Sequence, residues 1–426
     1  MNIPTLRFPN FKNEWTTSKV EDLYKTIPTN SYSRNDLNYI DGSVKNIHYG
    51  DIHVKFQSHV NIAEVTLPYI NENKNYNRYT DESYCKDGDI ILADASEDVK
   101  DIGKSIEVLN VGNEKVLSGL HTIHLKPVTQ EISLGFGGYI FRNKAFVTQV
   151  QKESQGAKVL GISGKKILKL NLSYPKERSE QERITDFVHK VSAKINFLQE
   201  KKTLLEQYKK AVMQKIFSQE LRFKDENGDE FPNWKRWKLN DLGKTFNGLT
   251  GKSGTDFGEG KRYIQYKQIF DNSKINLQHC KHVNIGEDEQ QNDVAYGDVF
   301  FTTSSETPHE VGMSSVMLDD VQDVYLNSFC FGYRFTSLSD HSPEFYRFYF
   351  RSSNLRKKIV KLAQGSTRYN ISKSGFLNLS IDVPHIKEQR KIALFLTSLE
   401  EKIEVIQDEV QDLKLWQKGL LQQMFV

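Results

Sequence analysis

The stretch from Glu180 to Phe217 contains neither glycine nor proline. It repeats apolar residues every three or four positions: Ile184, Val188, Val191, Ile195, Leu198, Lys202, Leu205, Lys209, Val212 and Ile216. This is a heptad seam, apolar except at its two lysines, and a helix with such a seam has to lie against another long helix. The end of the chain supplies one. Ile392, Leu396, Leu399, Ile403, Ile406, Val410, Leu413, Gln417, Leu420 and Met424 each follow their counterpart by 208 residues. Two helices in matching register, each closing one half of the chain, predict a duplicated protein held together by a helix pair.

The rest of the sequence repeats as well, and a repeat decides the reading of a whole fold. Phe8-Pro9-Asn10-Phe11-Lys12 returns as Phe231-Pro232-Asn233-Trp234-Lys235, followed by Trp15 and Trp237 and by Asp22-Leu23 and Asp241-Leu242. From Gly88 to Pro175 the offset is constant at 209. Gly88-Asp89-Ile90-Ile91-Leu92 matches Gly297-Asp298-Val299-Phe300-Phe301, Gly156 with Ile162-Ser163 matches Gly365 with Ile371-Ser372, and Pro175 matches Pro384. The Gly-Asp segments read as turns feeding short apolar strands. Phe345 to Leu362 has helical spacing with a basic face. Ser179 and Glu182 have capping-box spacing at the start of the first helix. Each half is therefore an α+β part followed by a long helix. The boundaries are 1–175, 176–222 for the first helix, 223–230 for a polar linker, 231–384, and 385–426 for the second helix. Basic residues dominate around the first helix and acidic ones slightly around the second. That favours an antiparallel two-helix coiled coil with the two mixed α/β parts related by a pseudo-two-fold axis.

At 426 residues the chain exceeds one ordinary core. A net charge of +3 neither demands nor excludes a nucleic-acid partner, so the placement of its lysines and arginines matters more than their sum. The cysteines Cys85, Cys280 and Cys330 are scattered and odd in number, which fits a reducing cytoplasm. No apolar leader or membrane-length run is expected.

The chain carries few motifs of catalytic or metal chemistry. Gly248-Leu249-Thr250-Gly251-Lys252-Ser253 lacks the first glycine of a phosphate loop, because Phe246 stands there. His279, Cys280 and His282 offer three soft ligands without a fourth in regular spacing. His121 and His124, set against Cys330 and Tyr333 by the common offset, do not form a shared metal site. Glu72-Asn73-Lys74 is a two-letter match to a nuclease pattern. No nucleophile elbow, zinc-protease pattern or glycine loop for a dinucleotide or adenosylmethionine is present.

Polar loops recur at matched places instead. Tyr32-Ser33-Arg34-Asn35 and Thr250-Gly251-Lys252-Ser253 follow the first element of each half. Lys158 lies in the counterpart of the loop holding Arg368, Tyr369 and Asn370, which precedes Lys373, and Ser305 belongs to the repeated loop after the Gly-Asp strand. These residue types meet base edges and phosphates. The halves agree in frame and differ in these loops, as expected for one scaffold with two reading surfaces.

The chain resembles the specificity subunits of type I restriction-modification systems. The resemblance rests on the Phe-Pro-x-[Phe/Trp]-Lys openings, the Gly-Asp strands with their Ser-Glu loops, Gly365-Ser-Thr-Arg-Tyr-Asn-Ile-Ser, and the helix starts Gln181 to Ile184 and Gln389 to Ile392. It implies two target-recognition domains, each reading half of a bipartite site on double-stranded DNA. It also implies spacer helices that dock two modification subunits, with restriction subunits joining for cleavage. The chain itself would be non-catalytic and hold no cofactor or metal, with S-adenosylmethionine, ATP and magnesium on its partners. A self-contained methyltransferase or nuclease, or a coiled-coil adaptor that never touches DNA, are the competing classes. The 33 residues of seam from Ile184 to Ile216 would span about 50 Å. A turn of DNA is about 34–36 Å, so the readers would stand one to one and a half turns apart.

Overall fold

The structure is a computed structural model that describes residues 3–76 and 78–425. It divides into two compact units, Met1–Leu198 with Glu409–Val426, and Gln199–Asp408. The two predicted long helices are present as Arg178–Phe217 and Ile386–Met424. No helix among the described residues is long and apolar enough to cross a membrane.

In the first unit a five-stranded sheet runs in the order Tyr24–Ile27, Thr122–Pro127, Ile90–Ala93, Ser105–Leu109, His59–Asn61, antiparallel except for its last pair. The strand Ile90–Ala93 is buried on both faces. Strand side chains alternate, so Ile90 and Leu92 enter one core with Trp15, Phe136 and Phe141, while Ile91 and Ala93 enter another with Ile47, Ile52 and Val60. The second unit repeats the plan in the order Gly243–Asn247, Cys330–Phe335, Val299–Thr302, Ser314–Val316. Its fifth strand is reduced to a parallel bridge between Lys274 and Val316. Val299 and Phe301 enter one core there, and Phe300 the other.

The Gly-Asp turns precede these central strands as expected. Gly88 and Gly297 have φ of +86° and +85°, which suits glycine. The aspartate that follows accepts the amide three residues back, Lys86 N at 2.9 Å and Ala295 N at 2.8 Å. It also takes a donor from the adjacent strand: His124 at 2.7 Å from Asp89, and Arg334 at 2.7 Å from both oxygens of Asp298.

Each unit is completed by both long helices. Ile184 and Val188 from the start of the first helix and Met424 from the end of the second join the core of the first unit. Val212 and Ile216, with Ile392 and Leu396, join that of the second. Of the other seam residues, Val191, Ile195, Leu198, Leu399, Ile406 and Val410 are buried, and Leu205, Ile403 and Leu413 half-buried. The polar seam positions are met by polar residues of the facing helix that flank its seam. In the first unit Gln417 donates to Ser192 at 2.7 Å. In the second, Lys202 donates to Gln407 and Lys209 to Glu400, each at 2.6 Å. Residue numbers rise on one helix as they fall on the other, so the pairing is antiparallel, and these contacts penalise a slipped register.

Both helices start with the same latch. Gln181 accepts from Ser133 N at 2.7 Å and donates to the carbonyls of Pro175 and Glu131, each at 2.8 Å. Gln389 accepts from Ser342 N and donates to the carbonyls of Pro384 and Asp340, all at 2.9 Å. The preceding glutamates are equally buried. Glu180 receives the Arg7 guanidinium through two bonds of 2.7 Å, and Glu388 receives Arg222 at 3.1 and 2.7 Å.

Four expectations need correction. The opening repeat is Leu6-Arg7-Phe8 against Leu221-Arg222-Phe223, since the arginines make the same ion pair and Phe8 meets Phe187 as Phe223 meets Phe395. An inserted turn bridged from Lys224 to Glu230 displaces the Phe-Pro-Asn of the second copy. Trp15 corresponds to Trp234 rather than to Trp237, because each immediately precedes a strand paired in the same register, Thr16 with Tyr174 and Lys235 with Val383. Ser179 lies inside the first helix, whose first turn bonds to the Glu177 carbonyl, so no capping box forms with Glu182. Phe345 to Leu362 is split between two helices, Pro343–Tyr349 and Ser353–Val360, and its basic residues divide: Arg347, Arg351 and Arg356 turn inward, whereas Lys357 and Lys361 are exposed. Arg351 donates to the carbonyls of Ser314, Ile269, Phe270 and Asn272, and Arg356 to those of Gly312, His309 and Val311. Burial lowers both guanidinium pKa values to about 10.

Removing Arg7 leaves Glu180, 1% exposed, as a buried charge without its counter-ion. Arg7→Ala should cost about 3 kcal/mol in urea unfolding. Arg236→Ala, which removes an exposed pair with Asp382, should leave the midpoint unchanged.

Candidate nucleic-acid interface

The repeated loops are built on one frame. In the second unit Ser304–Ser305 pairs with Tyr369–Asn370. Gln364 and Asn370 exchange backbone hydrogen bonds of 2.9 and 2.8 Å, closing a hairpin with Arg368 on it. Gly365 has φ of +124°, and a Cβ there would come within 2.2 Å of the Arg368 carbonyl oxygen. The first unit pairs Ala95–Ser96 with Leu160–Gly161, and Gln155 exchanges bonds of 3.0 and 2.8 Å with Gly161. Gly156 has φ of +139°, and its Cβ would lie 1.9 Å from the Val159 oxygen. Val159 therefore stands where the second unit has Arg368, with Lys158 one position earlier. The Ile-Ser pair that follows anchors the hairpin. Ile162 and Ile371 are buried, and Ser163 and Ser372 cap short helices through Lys166 N at 3.4 Å and Gly375 N at 3.0 Å. Lys373 is the first residue of the second of these helices.

The other matched loops also share a turn. Ser33 holds Asp36 through its amide and hydroxyl, both at 2.8 Å, and Ser253 holds Asp256 at 2.7 and 2.9 Å. Lys74 and Ser33 keep the Asp36 carboxyl down at about 2. Beside this turn Arg34 makes two bonds to Asp51, of 2.9 and 2.8 Å, which raise the pKa of its guanidinium. Tyr32 donates to the Asn75 carbonyl at 2.8 Å, and Asn35 accepts through its own carbonyl from Asn71. In the second unit Lys252 is ion-paired with Glu289 and only 9% exposed, and Lys252 and Gln291 hold the Glu289 carboxyl at about 2. Thr250 N donates to Gln291 at 3.0 Å.

Seven of the twelve candidate loop residues fall into two kinds. Arg34, Lys252, Ser253 and Ser305 hold neighbouring carboxylates, Ser305 bonding Glu310 at 3.2 Å. The cations of Lys158, Arg368 and Lys373 make no hydrogen bond or ion pair among the described residues, and Lys158 and Arg368 are exposed. The hairpin brings Ser305, Arg368, Tyr369 and Asn370 together. The turn with Thr250, Lys252 and Ser253 is tied instead to the segment of Glu289 and Gln291.

Several residues near the hairpins escaped the sequence reading. Tyr266, Phe270 and Phe329 share an open cavity with Arg368, and burial raises the Tyr266 pKa. The two units are one residue out of step here. His121 and Phe329 play the same part, each accepting from the residue after the central strand, Asp94 N at 3.1 Å and Thr303 N at 3.0 Å. His121 therefore corresponds to Phe329, and His124 to Gly332, not to Cys330 and Tyr333. The matches on either side keep an offset of 209, so the one-residue shift shows only in the strand register. Gln268 approaches Cys280 at 3.8 Å, and no group of three histidine, cysteine or acidic residues among those described is placed to hold a metal.

Residues 232–415 match the family described as the type I restriction modification DNA specificity domain. The fold is similar to that of a type I restriction-modification S subunit from M. genitalium, with a TM-score of 0.55 and 13% identity over 100% of this chain and 99% of that one. A chain solved in a study of complex assembly and conformational transition of the type I R-M system gives a TM-score of 0.55 and 13% identity over 96% of this chain and 97% of that one.

Gly365→Ala should open the hairpin, at a cost of about 1–3 kcal/mol from its backbone conformation alone. Gly254→Ala, which meets open space, should be silent. Limited proteolysis at 364–370 together with urea unfolding distinguishes the two.

Proposed function

We infer that this chain is a type I restriction-modification specificity subunit that reads a bipartite DNA sequence with one half-site per unit, a reading supported by the DNA specificity domain matched in its second half and by the fold similarity over its length. Its task is sequence-specific DNA recognition, and the chain is not itself the enzyme. Such subunits bind DNA and assemble with the other subunits of the system. The observation that carries the two-reader assignment is the repeated hairpin. Gln155 to Gly161 and Gln364 to Asn370 share backbone pairing and a strained glycine, yet present Val159 in one unit and Arg368 in the other.

Residues 1–175 and 231–384 act as the two target-recognition domains, 176–222 and 385–426 as the spacer helices, and 223–230 as the connection between the halves. Arg368, Tyr369, Asn370 and Lys373 face DNA in the second reader, and Lys158, Tyr32 and Asn35 in the first. The free cations bind phosphates or purine edges, at about 1–3 kcal/mol for each bidentate base contact. Arg34, Lys252, Thr250, Ser253 and Ser305 hold the loops that present them. The outer faces of the long helices take two modification subunits, which bring S-adenosylmethionine, and restriction subunits join for cleavage. That docking is supported by large apolar side chains left exposed on the helices, Phe197, Leu204 and Tyr208 on one and Leu394, Val405 and Leu415 on the other.

Replacing Pro232 to Ser374 with the corresponding segment of another specificity subunit should change one half-site and leave the second untouched. Sequencing of methylated bases in cells that carry the chimera and the modification subunits reads this directly. A change in both half-sites contradicts one reader per unit.

A further inference from the structure

Phe329 immediately precedes the strand Cys330–Phe335, yet its side chain is 60% exposed. It borders an open cavity of about 470 Å³. The other walls include Tyr266, Lys267 and Phe270 of the short helix Tyr266–Asp271, Glu306 and Glu310, and Arg368 of the hairpin, with the Lys267 ammonium paired to Asp271 at 3.1 Å. The Tyr266 hydroxyl donates to the Ser304 carbonyl at 2.7 Å, and its ring lies within 16° of parallel to that of Phe270. Glu310 is steadied by Ser305 at 3.2 Å. Internal packing accounts for neither the bare phenyl ring nor the unpaired guanidinium.

The first unit has a cluster at the same place. Tyr49 and His53 are the first and fifth residues of the helix Tyr49–Val54, as Tyr266 and Phe270 are of theirs. His121 takes the position of Phe329. The Tyr49 ring centroid is 5.3 Å from that of His121 and 6.0 Å from that of His53. His121 lies 3.2 Å from Asp94, and His53 lies 3.1 Å from the Ala95 carbonyl. The tyrosine is shared, whereas both rings beside it change from imidazole to phenyl, and His121 alone of the matched pair has a left-handed φ of 54°. A structural core would keep its packing, whereas a surface that reads two different ligands would change in this way.

We propose that the cavity of Tyr266, Phe329, Glu306, Glu310 and Arg368 receives the edge of a DNA base bearing an exocyclic amino group, and that Tyr49, His53 and His121 form the corresponding base-reading cluster of the other half-site. The assignment rests on reading the chain as a two-unit DNA reader. Carboxylates repel phosphate and accept from amino groups, so Glu306 and Glu310 select a base edge over the DNA backbone. In the major groove those amino groups are N4 of cytosine and N6 of adenine. Phe329 supplies the apolar wall against which a base or a thymine methyl packs. Arg368 at the rim donates to an adjacent purine or phosphate.

The test uses the full chain assembled with its modification subunits, with methylated bases mapped across a genome. Phe329→Ala and Glu310→Gln should each relax one base position of one half-site by about tenfold, leaving the other half-site as stringent as before. His121→Ala should relax the opposite half-site. The retained half-site reports in each case that the variant is folded and assembled. Unchanged discrimination in both Phe329→Ala and Glu310→Gln overturns the assignment, as does equal loss at both half-sites. A wild-type chain whose methylation follows no bipartite sequence overturns the underlying reading, and this assignment with it.

Discussion

The buried glutamate and glutamine at the first turn of each long helix are the contacts on which the rest of the structure depends. A helix start leaves amides without partners, and a segment docking there leaves carbonyls without partners. Gln181 and Gln389 satisfy the turn that leads in and the segment that crosses it, each with a single carboxamide. Glu180 and Glu388 then draw in the arginine of a segment far away in sequence. A buried charge is tolerated only with its partner, so each latch closes fully or fails. The helix direction relative to its unit follows from that requirement.

The same economy runs through the frame of each unit. Aspartates of the Gly-Asp turns, serines at helix starts and Arg351 beside the sheet all pair with backbone groups. This leaves the hairpins and the rings near them as the places where side chains differ between the units without disturbing the fold. A recognition protein needs that separation: a frame held by backbone demands, and a surface that can change.

What the sequence revealed and concealed follows from these forces. The seams were legible because helix periodicity is a strong signal, and Lys202 and Lys209 stood out as breaks because they answer Gln407 and Glu400. The Gly-Asp strands were legible because a left-handed turn and a buried strand leave a local pattern. The Leu-Arg-Phe repeat was hidden by the turn inserted from Lys224 to Glu230, which drew the match onto a later phenylalanine. The inward rotation of Arg351 and Arg356 was invisible because charge pattern does not show which carbonyls lack donors. Phe329 was invisible because apolar residues beside strands are ordinarily core, and only the fold shows one left bare.

We propose that the two long helices act as the spacer between two independent readers. The most direct test is the methylated sequence produced after about four residues, close to one helical turn, are inserted into both long helices at matched seam positions. The account predicts that both half-sites are retained and the unread spacer between them changes length. An unchanged spacer, with both half-sites still recognised, would contradict it.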